Sequence, residues 1–167
     1  MAATLARLTI PRLGIRQHHH LLEIGCGNGT AVSAVAERLD TGTILAIDRS
    51  AAAVARATQR NAVDIARGVA RIVHVDLADL TVPAGHFHTI FAVNVNLFQT
   101  DEMETVEFLR RALRRRGRLV LGYGRRNADH LCAQAERTCA RLRTGGLTGA
   151  VADWAGADCL FVTATRP

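Results

Sequence analysis

At 167 residues and 18.0 kDa the chain has the size of one domain, with material for one core and little for a second. Hydrophobic residues make up 49% and charged residues 22%, ordinary values that exclude a disordered, collagen-like or disulfide-scaffold chain. Arginine supplies all 21 basic residues against 15 acids, giving a formal charge of +6 and a pI near 10.4. That balance suits anionic partners such as nucleic acid. A lysine-free, alanine-rich composition is also what a GC-rich genome encodes, and that reading outweighs the nucleic-acid one.

No apolar run approaches the ~18–20 residues of a spanning helix. Residues 1–20 carry Arg12, Arg16 and a proline, which does not fit a secretory leader. The expected location is the cytoplasm, with no membrane partner. The four cysteines include no C-x-x-C pair, so reduced, packed thiols are expected rather than a zinc or redox motif.

Residues 1–19 read as a short N-terminal extension with an apolar set at Leu5, Leu8, Ile10, Leu13 and Ile15. From residue 20 to 167 apolar runs alternate with helical stretches, giving one domain. Residues 20–24 are a buried strand, 25–29 a glycine loop, and 30–39 a helix with Val32, Val35, Ala36 and Leu39 on one face. Residues 43–47 form the second strand. Ser50 is an N-cap for a helix that reaches Arg67 and stops at Gly68.

Residues 70–75 are the third strand and 88–95 the fourth. Residues 101–116 read as a helix opened by acids, closed by arginines and ended by Gly117, the polarity that the helix dipole favours. Its run from Arg110 to Arg116 reads as a solvated helix end rather than a phosphate contact. The fifth strand is 118–123, a helix follows over 127–143, and strands are expected at 147–152 and 158–165. Apolar strands separated by helices mean an α/β fold with a parallel sheet covered on both faces. The last two strands have no helix between them, so they form an antiparallel hairpin at one edge.

The informative segment runs Leu21-Leu22-Glu23-Ile24-Gly25-Cys26-Gly27-Asn28-Gly29-Thr30. Glycines permit positive φ and let a ligand approach bare backbone, and the helix behind the loop offers free N–H groups. Asp48 ends the second strand, where an acid can accept from both hydroxyls of a ribose. The dinucleotide fingerprint is G-x-G-x-x-G; here Gly25, Gly27 and Gly29 give G-x-G-x-G with Thr30 at the last position. Glu23 before the loop would repel a pyrophosphate but could hold an ammonium group. No G-K-[ST] is present, which excludes a P-loop. The pattern favours an adenosine ligand with an α-amino group over NAD.

With these residues the chain resembles the class I S-adenosyl-L-methionine-dependent methyltransferases from His20 to Arg166. Glu23 to Gly29 matches the family's E/D-x-G-x-G-x-G loop, Asp48 its second-strand acid, and Asp76 the acid beside the adenine amino group. Phe91-Ala92-Val93-Asn94-Val95 matches the fourth strand beside the methionine part. Gly117-Arg118-Leu119-Val120-Leu121 matches the fifth, with Arg116 where a glycine usually stands.

The resemblance implies a three-layer sandwich with a seven-stranded sheet in the order 3-2-1-4-5-7-6. It implies S-adenosyl-L-methionine as cofactor. The residues expected to bind it are Glu23, Gly25, Cys26, Gly27, Asn28, Gly29, Asp48 with its neighbour Arg49, Asp76 with its neighbour Leu77, and Asn94.

The sequence also departs from the family. His88 stands where an aspartate is usual, and Asn94-Val95-Asn96-Leu97 replaces the N/D-P-P-Y/F of many amine methylases. The expected reaction is methyl transfer to oxygen or nitrogen of a small-molecule acceptor. RNA methylation, and a non-catalytic cofactor-binding scaffold, are the alternatives. His130, Tyr123, Asn96 and Gln99 are candidates for a base, with none singled out. The short N-terminal segment suggests a homodimer partner completing the acceptor pocket. No metal is expected, because consecutive residues of an extended His18-His19-His20 point to opposite faces.

Overall fold

The computed structural model describes residues 2–98, 102–124, 128–156 and 159–167, without the side chains at 2–4, 102 and 128–130. Seven strands form one sheet: β1 (His20–Ile24), β2 (Thr43–Asp48), β3 (Ala70–His74), β4 (Phe87–Val93), β5 (Leu113–Gly124), β6 (Thr148–Ala155) and β7 (Cys159–Thr165). Their order is β3-β2-β1-β4-β5-β7-β6. β1 to β5 are mutually parallel, and β7 runs antiparallel to both β5 and β6. The edge hairpin expected from the missing helix is therefore present.

Side chains alternate across the sheet, as strand geometry requires. Leu21, Ile44, Phe91, Val120 and Phe161 face one layer, made by α1 (Ala2–Thr9), α2 (Thr30–Ala36), α3 (Ala51–Arg60) and α4 (Ala62–Ala66). Leu22, Ile24, Ile90, Leu119 and Val162 face the other, made by α5 (Glu102–Ala112) and α6 (Ala128–Thr144). Each such fully buried side chain contributes roughly 2 kcal/mol. Leu5 and Leu13 are wholly buried, so residues 2–13 form part of the first layer rather than a loose tail. Among the described residues no helix is long and apolar enough to cross a membrane.

Besides α2, which ends at Ala36 rather than Leu39, two helices depart from the expected bounds. The helix expected to reach Arg67 is broken at Asn61, whose φ is −105° and whose side chain turns inward. Its amide donates to the carbonyls of Gly29 at 3.1 Å and Ala57 at 2.8 Å and accepts from the Ser33 hydroxyl at 2.6 Å. The second departure is the arginine run. The preceding helix ends at Ala112, and Arg114 to Arg116 belong to β5.

Tertiary pairing overrides helix propensity there. Leu113 pairs with Phe87 on β4, and the Arg166 guanidinium caps the carbonyls of Arg111 and Leu113. Register is regained at Thr89 and Arg118, so Arg114 to Gly117 loop out between the two pairings. Arg116 sits at φ +60°, the conformation that a glycine would take without strain.

Candidate functional site

Strand order reverses between β2-β1 and β4-β5, and ligands bind in the crevice at the carboxyl ends of the strands where this happens. A cavity of about 610 Å³ opens there, within the usual ~300–1,000 Å³ of small-molecule sites. Its walls come from the ends of β1, β2 and β4 and from the segment after β3.

Of the residues expected to bind cofactor, Gly25, Gly27, Asp48, Arg49, Asp76, Leu77 and Asn94 line this cavity. The chain beyond Ile24 folds over because the amides of Gly25 and Cys26 both donate to the Ile47 carbonyl, at 2.8 and 3.0 Å. The three loop glycines all have positive φ, yet they serve different ends. A Cβ at Gly25 would stand 2.4 Å from Val95 Cγ2, and one at Gly29 would collide with Asn61 and Ala57. A Cβ at Gly27 would meet nothing within 4 Å. Gly25 and Gly29 permit close packing, whereas Gly27 leaves the cavity face bare.

Asp48 is fixed at both carboxylate oxygens. Oδ2 accepts from the Gly27 amide at 2.9 Å and Oδ1 from the Ser50 amide at 2.9 Å. Each oxygen keeps a lone pair for a ligand donor. Asp76 is exposed at the cavity rim, and its Oδ1 also caps the Ala78 amide at 3.2 Å. Asn94 follows β4 at φ +56°. Its amide donates to the Gly122 carbonyl at 2.8 Å and its Oδ1 accepts from the Gly124 amide at 2.7 Å, tying the ends of β4 and β5 together.

Glu23, Cys26, Asn28 and Gly29 stand outside the cavity wall. Glu23 is 2% exposed and its Oε2 has no hydrogen-bond partner. Burial, and next the nearby Asp48, push its carboxyl well above the ordinary range. Cys26 points into the core, where burial, followed by the charges of Glu23 and Asp48, raises its thiol to about 12. Asn28 turns its side chain onto Thr30, accepting from both its amide and its hydroxyl.

Among the base candidates, Tyr123 is a core residue, 6% exposed, and burial raises its hydroxyl to about 12. Asn96 does line the cavity. Gln99 and the His130 side chain lie outside the described residues. The sequence reading did not name the apolar wall of Ile24, Ile47, Val75, Val93, Val95 and Leu97. The available signal was position, since each lies within four residues of a strand's carboxyl end.

Residues 21–117 match the family model described as a methyltransferase domain. The chain belongs to this methyltransferase family. S-adenosyl-L-methionine is the family's cofactor. The chain is similar to the protein YrhH of Bacillus subtilis strain 168, with 24% identity over 121 residues. These cover 72% of this chain and 66% of that protein, just under two thirds of its length.

Among solved structures it resembles a SAM-dependent methyltransferase from Aquifex aeolicus, with 15% identity, TM-score 0.82, and coverage of 97% of this chain and 89% of that one. It also resembles the (4+2)-cyclase SpnF, with 18% identity, TM-score 0.78, and coverage of 99% and 81%. At these identities the likeness describes the fold, and a cyclase on the same fold shows that the reaction is set by the site.

Proposed function

We propose that this methyltransferase-family chain transfers the methyl group of S-adenosyl-L-methionine to oxygen or nitrogen of a small-molecule acceptor. The observation that carries the reading is Asp48, locked by the Gly27 and Ser50 amides beside a loop face that a side chain would block. The residues fit the group. Asp48 offers acceptors to two ribose hydroxyls, and exposed Asp76 offers one to the adenine amine at the same wall. Bare Gly27 admits the ligand against the backbone. Glu23, buried behind the loop with its Oε2 unpartnered, is the carboxyl available to an ammonium group.

When bound, the cofactor supplies a methyl carbon already activated by its sulfonium, so an incoming lone pair forms the new bond as the carbon–sulfur bond breaks. The chain's task is then to align and to exclude water. Asn94 and Asn96 give the acceptor end amide donors and acceptors, and Val93, Val95 and Leu97 give it apolar walls. A small acceptor is favoured over RNA because the arginine run spans the end of α5 and the start of β5 and so stands at the opposite end of the sheet from this cavity.

Calorimetric titration with S-adenosyl-L-methionine, S-adenosylhomocysteine and NAD tests the cofactor half. Binding of the first two, lost in Asp48→Ala, is expected. Binding of NAD alone would overturn the reading. Methyl transfer into an extracted RNA pool, and into no small molecule, would overturn the acceptor class.

A further inference from the structure

The amino end of the sheet gathers a second group of polar side chains, remote from the cavity. β4 has seven residues, and at ~3.3 Å per residue the two ends lie about 20 Å apart. Five of the seven histidines meet here: His18, His19 and His20 leading into β1, and His86 and His88 at the start of β4. Arg114 joins them from the first turn of β5.

The three consecutive histidines do not all converge: His18 and His19 come together, while the His20 ring stacks on His86 at 5.0 Å. The His19 amide closes a turn onto the Arg16 carbonyl at 2.9 Å, so the segment before β1 is not extended. One ring nitrogen each from His18, His19 and His88 lie within 4.8 Å of one another. The rings of His19 and His88 stack at 4.2 Å, and His18 meets His19 edge-on at 5.0 Å.

Hydrogen-bond bookkeeping identifies what this cluster lacks. The His20 amide donates to His88 Nδ1 at 3.0 Å. Neutral imidazole has a single lone pair, so the proton of His88 resides on Nε2. Nε2 in turn lies 2.6 Å from the Arg114 guanidinium, which can only donate. Two donors therefore face each other with no acceptor between them. His19 Nδ1 is buried with no partner at all.

Among the described residues, every charge that perturbs these rings is basic: Arg16, Arg114 and the other histidines. A metal ion would need lone pairs turned inward and would sit beside two arginines. Donors and positive charge are instead the requirements of an oxyanion.

We propose that His18, His19, His88 and Arg114 form a second binding site, for a phosphate-class oxyanion, at the amino end of the sheet. One oxygen of the anion accepts from His88 Nε2 and the Arg114 guanidinium together, and another meets His19. Arg114 is exposed and free to swing by the small distance that an intervening oxygen requires. The site is independent of the cofactor reading, since it shares no residue with the cavity.

The test uses the full chain and follows the histidine side-chain 1H–15N NMR signals while adding inorganic phosphate, a short single-stranded RNA or zinc chloride. Phosphate is expected to shift His18, His19 and His88. Arg114→Gln is expected to weaken that response about tenfold, because a charge-assisted hydrogen bond is lost. Arg115→Gln, outside the cluster, should leave it unchanged.

Tighter binding of RNA than of phosphate, lost in the same variant, would support the site and identify its source as a phosphodiester. A response to zinc with none to phosphate would overturn the proposal in favour of a metal site. Silence toward all three would overturn it outright. Unchanged S-adenosylhomocysteine affinity in Arg114→Gln shows that the variant is folded.

Discussion

The two ends of one sheet carry opposite chemistries. At the carboxyl ends of the strands stand Asp48, Asp76 and two asparagines, with Glu23 buried behind them. At the amino ends stand five histidines and a guanidinium. The first end is rich in acceptors and suits a ligand that donates; the second is rich in donors and suits one that accepts. The parallel strands β1 to β5 make this separation easy, because each contributes its start to one end and its finish to the other.

The largest expected effect breaks the acceptor end. Asp48→Ala should weaken cofactor binding by about 100-fold, since two hydrogen bonds to a charged group are lost. Asp48→Asn, which keeps one acceptor oxygen, should cost about tenfold. Calorimetry measures both, and equal losses would show that the carboxylate acts through loop structure alone.

The glycines sharpen the same end. Gly25→Ala should destabilise the fold by about 2–4 kcal/mol, from left-handed strain and overpacking against Val95. Gly27→Ala carries only the strain, about 1–2 kcal/mol, yet should weaken cofactor binding about tenfold because its methyl group enters the cavity. Thermal denaturation beside calorimetry separates the two; parallel behaviour would refute the distinction between packing glycine and contact glycine.

A smaller effect concerns Glu23. Its folded-state pKa is raised by burial and by Asp48, so its contribution is complete below the unfolded value near 4.3 and is lost as pH rises through the folded value. Glu23→Gln should therefore gain stability over the native chain as pH rises, while binding cofactor less well. Melting curves across the acid-to-neutral range check the sign.

The smallest effect lies at the donor end. Burial, and next His19 and Arg114, lower His88 to about 4. The unfolded chain then takes up a proton between about pH 6.5 and 4 that the folded chain refuses, so stability falls as pH drops through that window. His18, His19, His20 and Arg114 are the groups that face this ring. His88→Gln should flatten the fall, and an unchanged melting profile would remove His88 as its source.

Legibility in the sequence followed locality. Gly25, Gly27, Gly29 and Asp48 are readable because a loop and the end of the next strand lie at a fixed spacing, and the sheet order follows from the family resemblance that those residues carry. Which loop residues face the cavity was not readable. Cys26 and Asn28 belong to the same motif, yet the first turns into the core and the second onto Thr30. Arg110 and Arg111 do close α5, but Arg114 to Arg116 fall in β5, because helix propensity and charge suit a helix end while their fate depends on Phe87 and Arg166, distant in sequence. The histidine cluster was hidden for the same reason, since it needs a turn at Arg16 and a ring from β4.

The inward-turned Asn61 has a consequence for how this sequence can drift. Its amide occupies the space that a side chain at position 29 would need, and it holds the carbonyl of that same glycine. The two positions are thus mutually exclusive in volume and joined by a hydrogen bond. A lineage that replaces Gly29 with a larger residue must shrink position 61 and also shift the α3 backbone at Ala57, whose Cα a new Cβ would approach to 2.9 Å. It would also give up the bond that anchors the loop to α3, so homologues should change these two residues as a pair or not at all.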